Sequence, residues 1–180
     1  MVEAWLAKRD SEYVLTLLNP LATDTVADLG AGYGYIASRV GNQTSSLIAI
    51  EPDPKKVRYT HQTYPSLDCI LAVGEAIPCR DSSFEKSYAK KSLHHAMDID
   101  KALQELNRII KPAGCLVIQE PRPEGRWKLV EWVERRMRHA HMNFQSPDAL
   151  EKRLEEAGFA VKFLENKPNG YYVMAEKRAT

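Results

Sequence analysis

Cysteine is scarce in this chain of 180 residues: Cys69, Cys79 and Cys115 are its three, widely spaced and with no CxxC pair. An odd set of that kind offers neither a disulfide framework nor a zinc cluster, and a reduced, cytoplasmic setting is expected. An excess of one charge is also lacking, since 25 Lys and Arg face 24 Asp and Glu. A general polyanion binder needs a basic excess, so nucleic acid is not the expected partner. Apolar runs end after a few residues, as at Leu116-Val117-Ile118, far short of the roughly 20 residues that cross a bilayer. The opening Met1-Val2-Glu3-Ala4-Trp5 has no charged segment followed by an apolar one, so no secretory signal is expected. Internal repeats, low-complexity tracts and Gly/Ser linkers are missing too. At 44% hydrophobic and 27% charged residues the composition is that of a globular protein. The length suits one domain over residues 1–180 with a full core.

What is present is alternation. Trp5, Leu6, Tyr13, Val14, Leu17 and Leu18 recur at helical spacing over residues 3–18, and Asn19-Pro20 stops that helix. Short apolar runs predict strands at 25–29, 46–50, 67–73 and 115–119; Phe84 to Ala89 occupies the fourth strand's place despite Lys86 and Ser87. Helices are predicted from Tyr35 to Val40 with Gly41-Asn42 as C-cap, from Asp53-Pro54 to about Tyr64, and from Asp100 to Ile110. Lys111 to Gly114 reads as a turn. Further helices are predicted from Trp127 to about His141 and from the Ser146-Pro147 cap to Gly158, and a hairpin joins strands 160–165 and 171–176 through Asn166 to Gly170. Repeated β-α alternation predicts an α/β fold: a doubly wound, seven-stranded sheet, mostly parallel, with a C-terminal antiparallel hairpin. Ligands of such sheets bind beyond the carboxyl ends of the strands.

Three strand ends carry chemistry. Asp28-Leu29-Gly30-Ala31-Gly32-Tyr33-Gly34 follows the first strand. Its glycines permit a tight turn and close backbone approach to a ligand. The spacing differs from the dinucleotide fingerprint, because Tyr35 stands where the third glycine belongs. A carboxylate before the loop repels a pyrophosphate but accepts from an ammonium group, which points to a zwitterionic or cationic ligand; simple strand–helix packing is the alternative. Glu51 ends the second strand, where an acid accepts from both ribose hydroxyls. Glu75, in Gly74-Glu75-Ala76-Ile77-Pro78, suits an exocyclic amine, and Ile77 suits the face of an aromatic ring; a plain surface turn is the alternative.

In order, DLGAGYG, IEPD, GEAIPC, SLHH and ELNRIIKPAG resemble the class I S-adenosylmethionine-dependent methyltransferases over about residues 24–120. The nearest likeness is to the small-molecule branch that includes ubiquinone and menaquinone biosynthesis methyltransferases. The resemblance implies a Rossmann-like core and S-adenosyl-L-methionine as cofactor. The implied cofactor-binding set is Asp28, Gly30, Ala31, Gly32, Gly34, Glu51, Pro52, Glu75, Ala76 and Lys90. Asp28, Gly30 and Gly32 would meet the methionine portion, Gly34 would shape the turn, Glu51 would take the ribose, Glu75 the adenine amine, and Ala76 would offer a backbone N–H. Lys90 to His95 would line the methyl-donor side. Lys86, Ser87, Lys90 and Lys91 depart from the small and apolar residues usual there. A lysine beside a sulfonium is unfavourable unless it points away or meets an anionic acceptor.

Methyl transfer from a sulfonium needs alignment and exclusion of water more than acid–base help. Where a proton must leave the nucleophile, His94 and His95 are the candidates, with a buried, hydrogen-bonded structural ring as the alternative. Glu120, after the fifth strand, is a candidate for the acceptor pocket. The first helix (residues 1–20) is either a lid or a packing helix, and residues 121–180 form the substrate side. Arg122 to His141 holds six Arg and Lys against three Glu, with Trp127, Trp132, His139 and His141 interleaved. It suits an anionic acceptor or RNA, or is a solvated helix face. The expected function is methyl transfer to a small-molecule acceptor. The alternatives are a cofactor-binding module without turnover, or an RNA or protein methyltransferase. The absence of Asn-Pro-Pro-Tyr speaks against amino methylation of adenine or glutamine, and the glycine spacing against an NAD-dependent oxidoreductase.

Overall fold

The computed structural model describes residues 2–122, 142–168 and 170–179, and of residues 2–9 the backbone alone. Strands β1 (Thr25–Leu29), β2 (Ser46–Glu51), β3 (Asp68–Leu71), β4 (Phe84–Lys90) and β5 (Ile110–Glu120) run parallel in the order β3-β2-β1-β4-β5. Strands β6 (Phe159–Lys167) and β7 (Gly170–Lys177) add the antiparallel edge, with β7 next to β5. The strand order reverses between β1 and β4, the position where a doubly wound sheet opens a crevice at its carboxyl ends.

Among the described residues the helices are α1 (Val2–Leu18), α2 (Tyr35–Gly41), α3 (Pro54–Thr63), α4 (Ile99–Ile109) and α5 (Pro147–Glu156), with a 3-10 turn at Leu93–His95. Their starts follow local chemistry. Asp53, Asp98 and Ser146 each accept a backbone N–H of the first turn, and Pro54 and Pro147 open α3 and α5 where a missing N–H is harmless. Helices α1, α2 and α3 bury Val14, Leu18, Ala37, Val40 and Val57 on one face of the sheet. Helices α4 and α5 bury Leu103, Leu106, Ile109, Leu150 and Leu154 on the other.

The expected fourth strand is present: β4 is full because its polar residues find partners, with Ser87 Oγ donating to the Ala27 carbonyl at 3.0 Å and Lys86 pairing with Asp24 at 2.9 Å. Asn42 caps α2 as expected, in right-handed geometry. The structure departs from the sequence expectations in two places. Lys111 to Gly114 is not a turn before β5 but a distortion within it, with a register shift opposite Phe84 and Lys86 and Ala113 at φ 59°. In addition, β3 stops at Leu71 rather than Val73, because the chain leaves the sheet edge there and both side chains are exposed. The helix expected at Trp127 to His141, with its tryptophans and histidines, lies outside the described residues, as does the side chain of Trp5. Among the described residues no helix is long and apolar enough to cross a membrane.

Candidate active site

The loop after β1 is held from beneath. The Gly30 and Ala31 N–H groups donate to the Ile50 carbonyl at 2.8 and 3.1 Å, tying the loop to the end of β2. Gly30 sits at φ 77°, and a Cβ there would fall 2.2 Å from Ser92 Cβ, so this position has room only for hydrogen. Gly32, at φ 61°, differs: a Cβ there meets nothing within 4 Å. Gly30 is therefore required by packing, whereas Gly32 faces open space.

That space is a cavity of about 610 Å³ across the carboxyl ends of β1, β2 and β4. Asp28, Gly30, Ala31, Gly32, Glu51, Pro52, Glu75, Lys90 and His95 line it. Gly34, Ala76 and His94 do not. A Cβ at Gly34 would lie 2.8 Å from Thr60 Cγ2, so Gly34 serves the contact between the loop and α3. The Ala76 N–H donates to the Val73 carbonyl at 3.2 Å, inside its own turn. Ile77 is buried in the core between sheet and α4, not at the cavity where a ring-stacking residue would stand.

The carboxylates are positioned by backbone donors. Glu51 is buried; its Oε2 accepts from Gly32 N at 2.8 Å and its Oε1 from Asp53 N at 3.1 Å. Lys56 Nζ stands 3.5 Å from the same Oε1, and of the roughly four acceptor sites of an ionised carboxylate those left over are available to a diol. Glu75 Oε1 accepts from Met97 N at 2.6 Å and Asp98 N at 3.1 Å, joining the loop after β3 to the start of α4. Asp28 is buried and accepts from the Tyr88 hydroxyl, its register partner on β4, at 2.6 Å. Burial pushes the Asp28 carboxyl up to about 7 against the Tyr88 hydrogen bond, with help from the negative charge of Glu51. Burial and Asp28 together raise Tyr88 well above the ordinary phenol value, so this hydroxyl stays a donor.

The two histidines separate. His94 is buried, and its Nδ1–H donates to Glu120 Oε2 at 2.5 Å while its ring lies 4.7 Å from that of Phe144. Glu120 Oε1 also accepts from Ser92 N and Leu93 N at 3.1 and 2.9 Å. Glu120 thus fastens the 3-10 turn from behind, and the expectation that it faces the acceptor is corrected: three donors of that turn draw its carboxylate away from the cavity. His94 is likewise the hydrogen-bonded structural ring. His95 alone of the pair reaches the cavity.

The lysines of β4 also diverge. Lys86 points away from the cavity, to Asp24. Lys91, at φ 52°, pairs with Asp10 on α1 at 2.9 Å. Lys90 lines the cavity, and burial and the charge of Lys91 hold its ammonium below the ordinary value. Sequence reasoning missed Tyr88 and Met97, which line the cavity, while Ser92 falls in the segment expected there. Tyr88 was masked by the lysines around it, although a phenol one strand from a buried acid is a recognisable pair. Ser92 Oγ donates to the Leu29 carbonyl at 2.6 Å, which joins the 3-10 turn to the glycine loop. The cysteines are free, and among the described residues no group of His, Cys, Asp and Glu is placed to hold a metal ion.

Three comparisons bear on this site. A protein family described as "Methyltransferase domain" matches residues 27–118, more than half of the chain. An uncharacterised methyltransferase of Mycobacterium tuberculosis is 29% identical over 99 residues, 55% of this chain and 40% of its own length. The chain therefore spans about two fifths of that relative. Among solved structures, an S-adenosylmethionine-dependent methyltransferase from Mesorhizobium loti superposes with a TM-score of 0.82 at 15% identity, covering 92% of this chain and 96% of that one. The [4+2]-cyclase SpnF superposes equally well, with a TM-score of 0.82 at 17% identity and coverage of 97% and 82%. The architecture is shared; the reaction is not fixed by it.

Proposed function

The chain belongs to the methyltransferase domain family, and from that premise we propose that it transfers a methyl group from S-adenosylmethionine to a small-molecule acceptor. The observation that carries the reading is a single cavity bearing Asp28, an open Gly32, Glu51 and Glu75 at successive strand ends. These residues suit an amino-acid-bearing nucleoside. Glu51, already oriented by two backbone N–H groups, accepts from the ribose hydroxyls. Asp28 accepts from the ammonium group, with Tyr88 holding its other side. The Cβ-free edge at Gly32 lets the backbone approach the ligand, and Glu75 walls the nucleobase end. When bound, the sulfonium supplies the methyl group and a neutral leaving thioether. The chain's own part is to orient the partners and exclude water. Nothing described beside the cavity requires a general base; among the described residues His95 is the histidine at the cavity. The small-molecule acceptor, with the ubiquinone and menaquinone branch as nearest type, rests on the motif resemblance, and the cytoplasmic setting rests on free cysteines.

Titration calorimetry with S-adenosylhomocysteine tests the reading. The full chain is expected to bind it, and Asp28→Ala to weaken it by about tenfold to a hundredfold, the worth of a hydrogen bond to a charged group. No binding by the wild-type chain at millimolar ligand overturns the proposal. A second reading, a cofactor-binding module without turnover, is favoured by one observation: Lys90 brings a cation to the methyl-donor side. Transfer of the methyl group to any acceptor in a cofactor-turnover assay eliminates it.

A further inference from the structure

Glu120 is buried at the end of β5 and does not line the cavity, yet its carboxylate takes three donors from one short segment beside it. This anchor is itself fixed from two sides. A Cβ at Gly170 would fall 2.2 Å from the Glu120 carbonyl oxygen, so the start of β7 packs directly on this end of β5. The Asn143 N–H donates to the His94 carbonyl at 2.8 Å, and the rings of Phe144 and His95 lie 4.7 and 4.2 Å from that of His94. From the anchor the turn reaches the site in two directions. Ser92, Leu93 and His95 line the cavity. Ser92 Oγ donates to the Leu29 carbonyl at 2.6 Å, and Ser92 stands so close to the glycine loop that a Cβ at Gly30 would overlap it.

We propose that Glu120 and His94 are positioning residues for the bound nucleoside: one hydrogen-bonded unit that sets the turn after β4, and through Ser92 the glycine loop, without touching the ligand. The inference rests on the methyltransferase reading and adds two residues to it. A carboxylate accepts on both oxygens, so His94 carries a proton on Nδ1, and its tautomer and the place of the turn are set together. Donors on both oxygens hold the turn in one place, which is the support that a ligand-facing loop needs. Removing the carboxylate leaves two backbone N–H groups and an imidazole N–H without their acceptor. The glycine loop then loses the fixed neighbour against which Gly30 is packed.

Calorimetry with S-adenosylhomocysteine, thermal melts and NMR of the imidazole nitrogens test the unit on the wild-type chain, Glu120→Ala, Glu120→Gln and the core variant Leu106→Ala. Glu120→Ala, measured at a temperature where it is fully folded, is expected to lose about tenfold to a hundredfold in affinity. Glu120→Gln keeps an acceptor for the two backbone N–H groups but turns its NH2 toward His94, so the imidazole proton moves to Nε2. Its affinity is expected within about threefold of wild type, with the two His94 nitrogen signals exchanged in character. Leu106→Ala, which weakens the packing of α4, is expected to keep wild-type affinity. A folded Glu120→Ala that binds as the wild type does overturns the proposal. An equal loss in Leu106→Ala overturns it too, since the effect is then one of stability alone. A Glu120→Gln that falls as far as Glu120→Ala, or that leaves the His94 tautomer unchanged, overturns the hydrogen-bonded unit. Where Glu120→Ala does not fold, His94→Phe keeps the ring and loses the donor; a loss of about tenfold supports the unit, and wild-type affinity overturns it. A wild-type chain that does not bind S-adenosylhomocysteine refutes the methyltransferase reading itself.

Discussion

Replacing Asp28 by Asn should stabilise the free protein at alkaline pH while weakening its ligand binding. The Asp28 carboxyl is 3% exposed, and the Tyr88 hydroxyl at 2.6 Å donates to it. Burial raises it from 3.8 to about 7. Between those values the folded chain keeps a proton that the unfolded chain has lost. The unfolded state then binds fewer protons, so stability falls as pH rises through this window and levels off above about 7. The full difference corresponds to ~4 kcal/mol, an upper figure for one buried carboxylate. Asparagine has the same shape, keeps an oxygen for Tyr88 and carries no charge to desolvate. The assay is urea unfolding of both proteins at acid and alkaline pH, read as the difference between them, so that the other carboxylates cancel. The stability of Asp28→Asn relative to wild type should grow from near zero at about pH 4 to a few kcal/mol at about pH 8. For a chain of this size that is a rise in Tm of several degrees. A variant that is less stable than wild type at about pH 8, or a difference that does not change with pH, refutes the reasoning.

Four other outcomes follow from the same geometry. S-adenosylhomocysteine affinity should fall as pH drops below about 7, since an ammonium group competes with the proton on Asp28; calorimetry across pH measures this, and a flat profile denies Asp28 the role. Gly32→Ala should leave thermal unfolding within a few degrees of wild type, because the new Cβ meets no protein atom and the left-handed backbone costs only ~1–2 kcal/mol, yet it should abolish binding. Gly30→Ala should instead unfold the loop, its Cβ overlapping Ser92, and circular dichroism melts of the two variants compare them directly. Leu106→Ala, deep between α4 and the sheet, should lower stability by about 2–5 kcal/mol in urea melts.

Much of the fold was legible because short-range chemistry and long-range packing agree over most of the chain. Asp53-Pro54 and Ser146-Pro147 start helices for reasons contained in two residues, and β1, β2 and β5 are apolar enough that burial on both faces is their sole outcome. The fourth strand was legible from its place in the alternation, although Lys86 and Ser87 look wrong for a central strand until Asp24 and the Ala27 carbonyl are brought beside them. The misreadings fall where a distant partner decides. Lys111 to Gly114 has turn chemistry, yet pairing with β4 absorbs it as a distortion of β5. The site divides along the same line. Gly32 and Glu51 were readable because each stands at its own strand end, in a local sequence whose chemistry is already telling, although the bond between them spans 19 residues. His94 and Glu120 were not, since the donors that turn Glu120 inward come from the turn after β4, 26 to 28 residues earlier in the chain. Tyr88 was hidden for the same reason: its meaning lies in Asp28, 60 residues away. A residue whose role is set by its own backbone can be found in a sequence; one whose role is set by the charge of a neighbour across the sheet needs the register first. Lys90 and Gln119 belong to the second kind, since only the pairing of β4 with β5 sets them side by side.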